Sequence, residues 1–126
     1  MNILTCADFF YPDIVGGSGI MAYEIMRELQ RRGHQITVVT RWRQGLPTSE
    51  EIDGLRVHRY AMPGTQALYP LGLWRATRLM RGLMARERFD VVNMHHASGG
   101  IAAEWTRRFP SVFVFQGPWY KEAMAK

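Results

Sequence analysis

Between Ile3 and Thr40 the chain changes its hydrophobic period twice, and that change narrows the available folds more than any other feature. Ile3 to Ala7 is a short apolar run without alternation, the pattern of a strand covered on both faces. From Ser18 to Arg32 the period becomes helical. Ala22, Ile25, Met26 and Leu29 recur at three- and four-residue spacing, and Glu24, Arg27, Glu28 and Arg31 turn away from them. Ser18 is the expected N-cap and Gly33 the glycine that ends the helix after Arg31-Arg32. Gln35 to Thr40 is β-branched and reads as a second strand, completing a βαβ unit of about 40 residues.

The remaining chain repeats the alternation. Arg41 to Gly54, with Gly45, Pro47 and Gly54, reads as an irregular connection, and Leu55 to Tyr60 alternates as a third strand. Its direction is open, because the connection suits either a hairpin or a crossover. Ala61 to Tyr69 is a Pro/Gly loop, and Pro70 opens a helix running to about Arg88. Leu73, Ala76, Met80, Leu83 and Met84 form its apolar stripe, while Arg75, Arg78 and Arg81 line another face. Phe89 to His95 is a fourth strand, Ser98 caps a helix to about Phe109, and Ser111 to Phe115 is a fifth strand. Strands and helices alternating in this way predict an α/β fold, a Rossmann-like, doubly wound, mainly parallel sheet. Val112 to Phe115 is apolar throughout, as suits a central strand, although it is the last one; the chain is therefore expected to be a fragment, incomplete at its C-terminus.

Composition limits the setting. The 126 residues are one domain's worth, and 47% hydrophobic residues suffice for a core. A net charge of +5 favours anionic partners. Cys6 is the single cysteine, so no disulfide can form within the chain, and a cytoplasmic setting is expected. The N-terminal apolar stretch breaks at Asp8, too short for a signal peptide. No run reaches the roughly 20 apolar residues of a membrane span.

In open α/β sheets ligands bind at the carboxyl ends of the strands, where strand order reverses. For an order 3-2-1-4-5 that point lies between the first and fourth strands, and three loops converge on it: Asp8 to Gly19, His95 to Gly100, and Gln116 to Trp119. The first ends in Gly16-Gly17-Ser18-Gly19. Glycines there leave the first helical N–H groups open to an approaching anion, and the helix dipole favours one. Gly17 to Ala22 matches the G-x-G-x-x-G/A dinucleotide fingerprint in form, but some ten residues separate it from the strand, and no acidic residue ends the second strand. Arg41 and Arg43 could instead meet an NADP 2′-phosphate, which keeps an NADP-dependent oxidoreductase as a third alternative.

His95 and His96 are adjacent in an extended segment and point to opposite faces, one to the cleft and one to the packing. With no cysteine or carboxylate cluster beside them, no metal is expected. Ser98 reads as a helix cap rather than a nucleophile, and His34 and His58 as ordinary surface or turn residues. The arginine face at Arg75, Arg78 and Arg81 suits a solvated helix or an anionic membrane surface. No recognised nucleic-acid motif accompanies the charge, and nucleic acid is not an expected partner.

Asn2-Ile-Leu, Tyr11-Pro-Asp-Ile-Val-Gly-Gly17, Leu29 to Thr40, Asp90-Val-Val-Asn-Met-His95 and Phe115-Gln-Gly-Pro-Trp119 together resemble, in order and spacing, the N-terminal domain of the family-4 type GT-B glycosyltransferases. The resemblance covers nearly the whole chain. It implies that residues 1–126 are the acceptor-side, Rossmann-like half of a two-domain enzyme that moves a sugar from a nucleotide-sugar to a glycan or lipid-linked acceptor with retention and without a bound metal or other cofactor. The nucleotide-binding C-terminal domain would be the absent partner, and this half alone should be inactive. Carried over by position, the Gly16-Gly17 loop, with Ser18, would face the donor diphosphate and sugar; Asp8, His95, His96, Gln116 and Gly117, in the three converging loops, are the candidates for the cleft and acceptor side. No catalytic residue is assigned. Where many relatives have His-Gly-Pro-Trp this chain has Gln116-Gly-Pro-Trp119; a glutamine can hydrogen-bond a sugar hydroxyl but cannot titrate near neutral pH. The resemblance also fits a cytoplasmic enzyme lying peripherally at the inner membrane face. A non-catalytic, partner-docking Rossmann-like domain is the alternative.

Overall fold

The computed structural model describes residues 1–8, 10, 11, 17–95 and 110–114. Strand β1 (Asn2–Ala7) leads to helix α1 (Gly17–Arg31) and strand β2 (Gln35–Arg41). Strands β3 (Ser49–Ile52) and β4 (Leu55–Tyr60) follow, then a 3-10 turn (Gln66–Leu68), helix α2 (Tyr69–Arg86), β5 (Val91–His95) and β6 (Ser111–Val114). The sheet order is β3-β4-β2-β1-β5-β6. All pairs are parallel except β3 with β4. The predicted Rossmann-like doubly wound sheet is therefore present. The strand of open direction, Leu55–Tyr60, runs parallel to β2 with Val38 opposite Val57.

The 41–54 connection is not wholly irregular. Ser49–Ile52 forms a strand antiparallel to β4, and Asp53 and Gly54 join the two with φ of 51° and 85°. A two-residue loop with both central φ positive is a type I′ turn, whose twist matches that of the flanking strands. Asp-Gly between Ile52 and Leu55 carries that signal in the sequence, although Glu50-Glu51 masks it by breaking the apolar run.

Two clusters fill the two faces of the sheet. Leu4, Cys6, Val39, Tyr60, Val92 and Met94 meet Ala76 and Met80 of α2 on one side. Ile3, Ala7, Ile36, Val38, Leu55 and Val57 meet Ala22 and Met26 of α1 on the other. Alternate residues of β1 thus serve opposite helices, which is why its run lacks polar alternation. Thr5, buried between them, donates its hydroxyl to the Met26 sulfur at 2.8 Å.

Helix α1 ends as expected at Gly33, with φ of 93°. The N–H of Gly33 bonds to the carbonyl of Gln30 at 3.0 Å, and that of His34 to Leu29 at 3.2 Å, the paired bonds of a Schellman motif. Its start differs from expectation. The helix begins at Gly17, so Ser18 lies inside the first turn and is not the N-cap. Helix α2 starts at Tyr69 with Pro70 in its first turn and buries Gly72, Ala76 and Met80. A Cβ on Gly72 would stand 2.0 Å from the Met62 sulfur, so the loop before α2 packs directly on helical backbone. Strand β6 is the last in the sheet among the described residues, and Val112 is 55% exposed there. The expected helix from Ser98 to Phe109 lies outside the described residues.

Candidate functional site

Strand order reverses at β1: the chain leaves it through α1 toward β2, and returns through α2 to β5 on its other side. The carboxyl ends of β1 and β5, with Ala7 opposite His95, therefore border the switch point of the sheet. Helix α1 enters from the loop that follows β1, and its first residues, Gly17 and Ser18, have backbone N–H groups without intrahelical acceptors. The loop is fastened to the helix by aromatic contacts. Phe10 is buried against Tyr23 edge-on at 5.8 Å, and Tyr11 stacks on the same ring at 4.7 Å. Tyr23 in turn bonds through its hydroxyl to the Asp53 carboxylate, tying the start of α1 to the β3–β4 turn.

Asp8 follows the last residue of β1, and its carboxylate pairs with the Arg41 guanidinium at 3.3 Å. Arg41 ends β2 and lies 6.0 Å from the centre of the Tyr69 ring, and its charge is felt by the buried Tyr60 hydroxyl at the end of β4. The Arg41 guanidinium thus stands among the ends of β1, β2 and β4 and the first residue of α2. Burial, and then the Asp8 charge, push the Cys6 thiol up to about 12, with Arg41 opposing. Burial likewise raises the Tyr60 hydroxyl above its ordinary range, Cys6 and Asp8 adding to it. Cys6 is therefore a protonated, buried thiol at neutral pH and no nucleophile. Arg41, the residue that could have met a 2′-phosphate, is engaged with Asp8.

His95 lies apart from this group. Residues 92 and 94 of β5 face α2, so Asn93 and His95 face the α1 side, where both are buried and the Asn93 amide meets His95 Nε2 at 3.1 Å. Asp8 and His95, named together for the cleft, thus belong to opposite faces of the sheet, although both sit at its carboxyl edge. Gly16, His96, Gln116 and Gly117 lie outside the described residues. Among the described residues no group of three His, Cys, Asp or Glu side chains is placed to hold a metal, and no helix is long and apolar enough to cross a membrane. Sequence reading overlooked the pairing of Asp8 with Arg41 and the placement of Tyr69 against that guanidinium. The one available signal was position, since Tyr69 precedes the helix proline.

Comparison with known proteins agrees with this arrangement. The family described as glycosyl transferase 4-like domain matches residues 16–126. No curated protein matches the chain. Among solved structures, sucrose-phosphate synthase from Thermosynechococcus elongatus superposes with a TM-score of 0.71 at 14% identity, over 89% of this chain and 31% of that one. The chain thus spans about a third of the length of that glycosyltransferase. The C-terminal domain of a hydrogenase from Pyrococcus furiosus superposes with a TM-score of 0.55 at 18% identity, over 90% of each chain. At these identities the two structures speak for the fold alone.

Proposed function

Because the chain belongs to the glycosyl transferase 4-like family, we propose that it is the N-terminal, acceptor-side domain of a GT-B glycosyltransferase that moves a sugar from a nucleotide-sugar to a glycan or lipid-linked acceptor with retention. The observation that carries the reading is the start of α1 at Gly17, after the loop leaving β1 and beside the switch point of the sheet. The free N–H groups of that first turn and the positive end of the helix dipole match the diphosphate of a nucleotide-sugar. Gly16, Gly17 and Ser18 take the donor diphosphate and sugar in this proposal. Asp8, paired with Arg41, and His95, His96, Gln116 and Gly117 border the acceptor side. A second Rossmann-like domain supplies the nucleotide pocket, and no metal or other cofactor takes part. The enzyme works on the cytoplasmic side, with Arg75, Arg78 and Arg81 toward an anionic membrane surface.

The test is Gly17→Val in a protein carrying both domains. Branched carbons at the mouth of α1 crowd the approach of a diphosphate, so transfer is expected to be lost while the far-ultraviolet dichroism and unfolding midpoint stay near those of the parent. Full transfer by the variant removes the loop from the mechanism. Transfer that requires added divalent cation and stops with chelator overturns the metal-free reading.

A further inference from the structure

Helix α2 contains four arginines, Arg75, Arg78, Arg81 and Arg86, and no acidic residue in 18 positions. Its outer flank and the β3–β4 hairpin enclose a groove of about 580 Å³, bordered by Ser49, His58, Trp74, Arg75, Arg78 and Arg86 over an apolar floor. That volume falls within the roughly 300–1,000 Å³ of small-molecule sites. Arg81 is outside the lining. Among the described residues no carboxylate lines the groove, and none of its three arginines has a carboxylate partner. Several arginines elsewhere in the fold are ion-paired. Arg31 and Arg32 pair with Glu28, Arg41 with Asp8, Arg56 with Glu87 and Arg59 with Glu50.

The groove is also organised. Arg78 lies 5.3 Å from the centre of the Trp74 ring, which holds the guanidinium by cation–π attraction. Arg75 donates to the Ala61 carbonyl at 3.3 Å. His58 Nδ1 meets the Ser49 hydroxyl at 3.0 Å across the hairpin. Burial, and then the charges of Arg56 and Arg86, hold the His58 imidazole below its ordinary range, with Glu87 opposing weakly. Glu87 is committed elsewhere, to Arg56 at 2.5 Å and Asn2 at 3.1 Å.

We propose that this groove is a second anion site, on the flank of the sheet away from the strand ends, that takes a phosphate group between Arg75, Arg78 and Arg86. A lone carboxylate is satisfied by one bidentate guanidinium, whereas three guanidiniums around one hollow suit the several oxygens and greater charge of a phosphate. Ser49 and His58 supply further polar contacts at the hairpin side. Trp74 of the groove, Leu71 in the first turn of α2 and Leu68 just before it are exposed by 55%, 37% and 50%, so that the phosphate can be free or carried by a lipid headgroup. The proposal does not depend on the transferase reading.

The experiment follows the His58 ring by NMR in the whole chain during titration with inorganic phosphate at fixed ionic strength, with chloride as the control. Phosphate partly cancels the guanidinium charges that depress His58, so its pKa is expected to rise saturably. The pair Arg78→Gln with Arg86→Gln should weaken phosphate binding about tenfold or more, as expected for loss of charge-assisted bonds. Arg81→Gln removes the same charge per substitution from the same helix but outside the groove, and should leave the binding of inorganic phosphate near the parent value. Flotation with phosphatidylcholine vesicles with and without phosphatidylglycerol separates the sources. Phosphatidylglycerol-dependent binding that free phosphate displaces assigns a lipid headgroup; a His58 response to phosphate without vesicle binding assigns a soluble phosphate. An equal response to chloride, or equal weakening by Arg81→Gln, reduces the effect to general charge and overturns the site.

Discussion

Helices α1 and α2 cover opposite faces of one sheet, yet they spend their polar residues differently. The outward face of α1 is closed on its own fold: Glu28 pairs with Arg31 and Arg32, Arg27 donates to the Asp53 carbonyl at 2.7 Å, and Tyr23 bonds the Asp53 side chain. The outward face of α2 has arginines and no acid, and its nearest hairpin presents Ser49 and His58 rather than a carboxylate. Both helices bury a comparable apolar seam, so the contrast is not one of packing. It teaches that the charge pattern of a surface helix separates positions consumed by the fold from positions left for a partner.

The strongest challenge to that comparison is to its premise of equal packing. Met26 of α1 and Met80 of α2 are both fully buried. Met26→Ala and Met80→Ala should each lower unfolding free energy by about 2–5 kcal/mol, the range for a large core side chain truncated to alanine. Denaturant titration checks it. A value near zero for either would show that one helix is only loosely attached and would undo the symmetry.

A smaller effect isolates the hairpin that both helices use. Gly54 sits at φ of 85°, and a Cβ there would stand 2.0 Å from the Gln30 amide nitrogen of α1. Gly54→Ala should cost about 1–2 kcal/mol from the left-handed backbone alone. It should also disturb the Tyr23 and Arg27 bonds to Asp53, seen as a change in the Tyr23 environment. Since the α2 groove draws on the other face of the hairpin, an unchanged His58 spectrum in this variant would show that the two faces respond separately.

The smallest effect tests the charges themselves. Glu28→Gln should lower stability by only about 0.3–0.5 kcal/mol, the worth of exposed helical ion pairs, and the loss should shrink in high salt. Arg78→Gln should leave stability unchanged or slightly raised, because it relieves repulsion from Arg75 and Arg86 without breaking an ion pair. Matched thermal melts at low and high salt distinguish these signs. A clear loss for Arg78→Gln would mean that the α2 arginines serve the fold after all.

Much of this architecture was legible in the chain because its signals are local. An uninterrupted apolar run such as Ile3 to Ala7 requires cover on both sides, and the helical spacing of Ala22, Met26 and Leu29 requires one buried face. Gly33 marked a helix end because only the left-handed region closes that turn, and the alternation of strand and helix made the sheet mainly parallel. The glycine-rich mouth of α1 was legible for the same reason: glycine and a helix start are neighbours in sequence.

The tertiary structure decided what depends on residues far apart in the chain. Strand β3 was hidden because Ser-Glu-Glu-Ile has no strand pattern of its own; pairing with β4 and the I′ turn make it one. The division of Asp8 from His95 between two faces follows from the alternation of each strand, but only once both are in register. Asp8, Arg41, Tyr60 and Tyr69 meet because strand termini converge at one edge of a parallel sheet. Arg75, Arg78 and Arg86 acquire a common hollow only from the hairpin opposite them, since helical periodicity orients side chains but does not say what faces them.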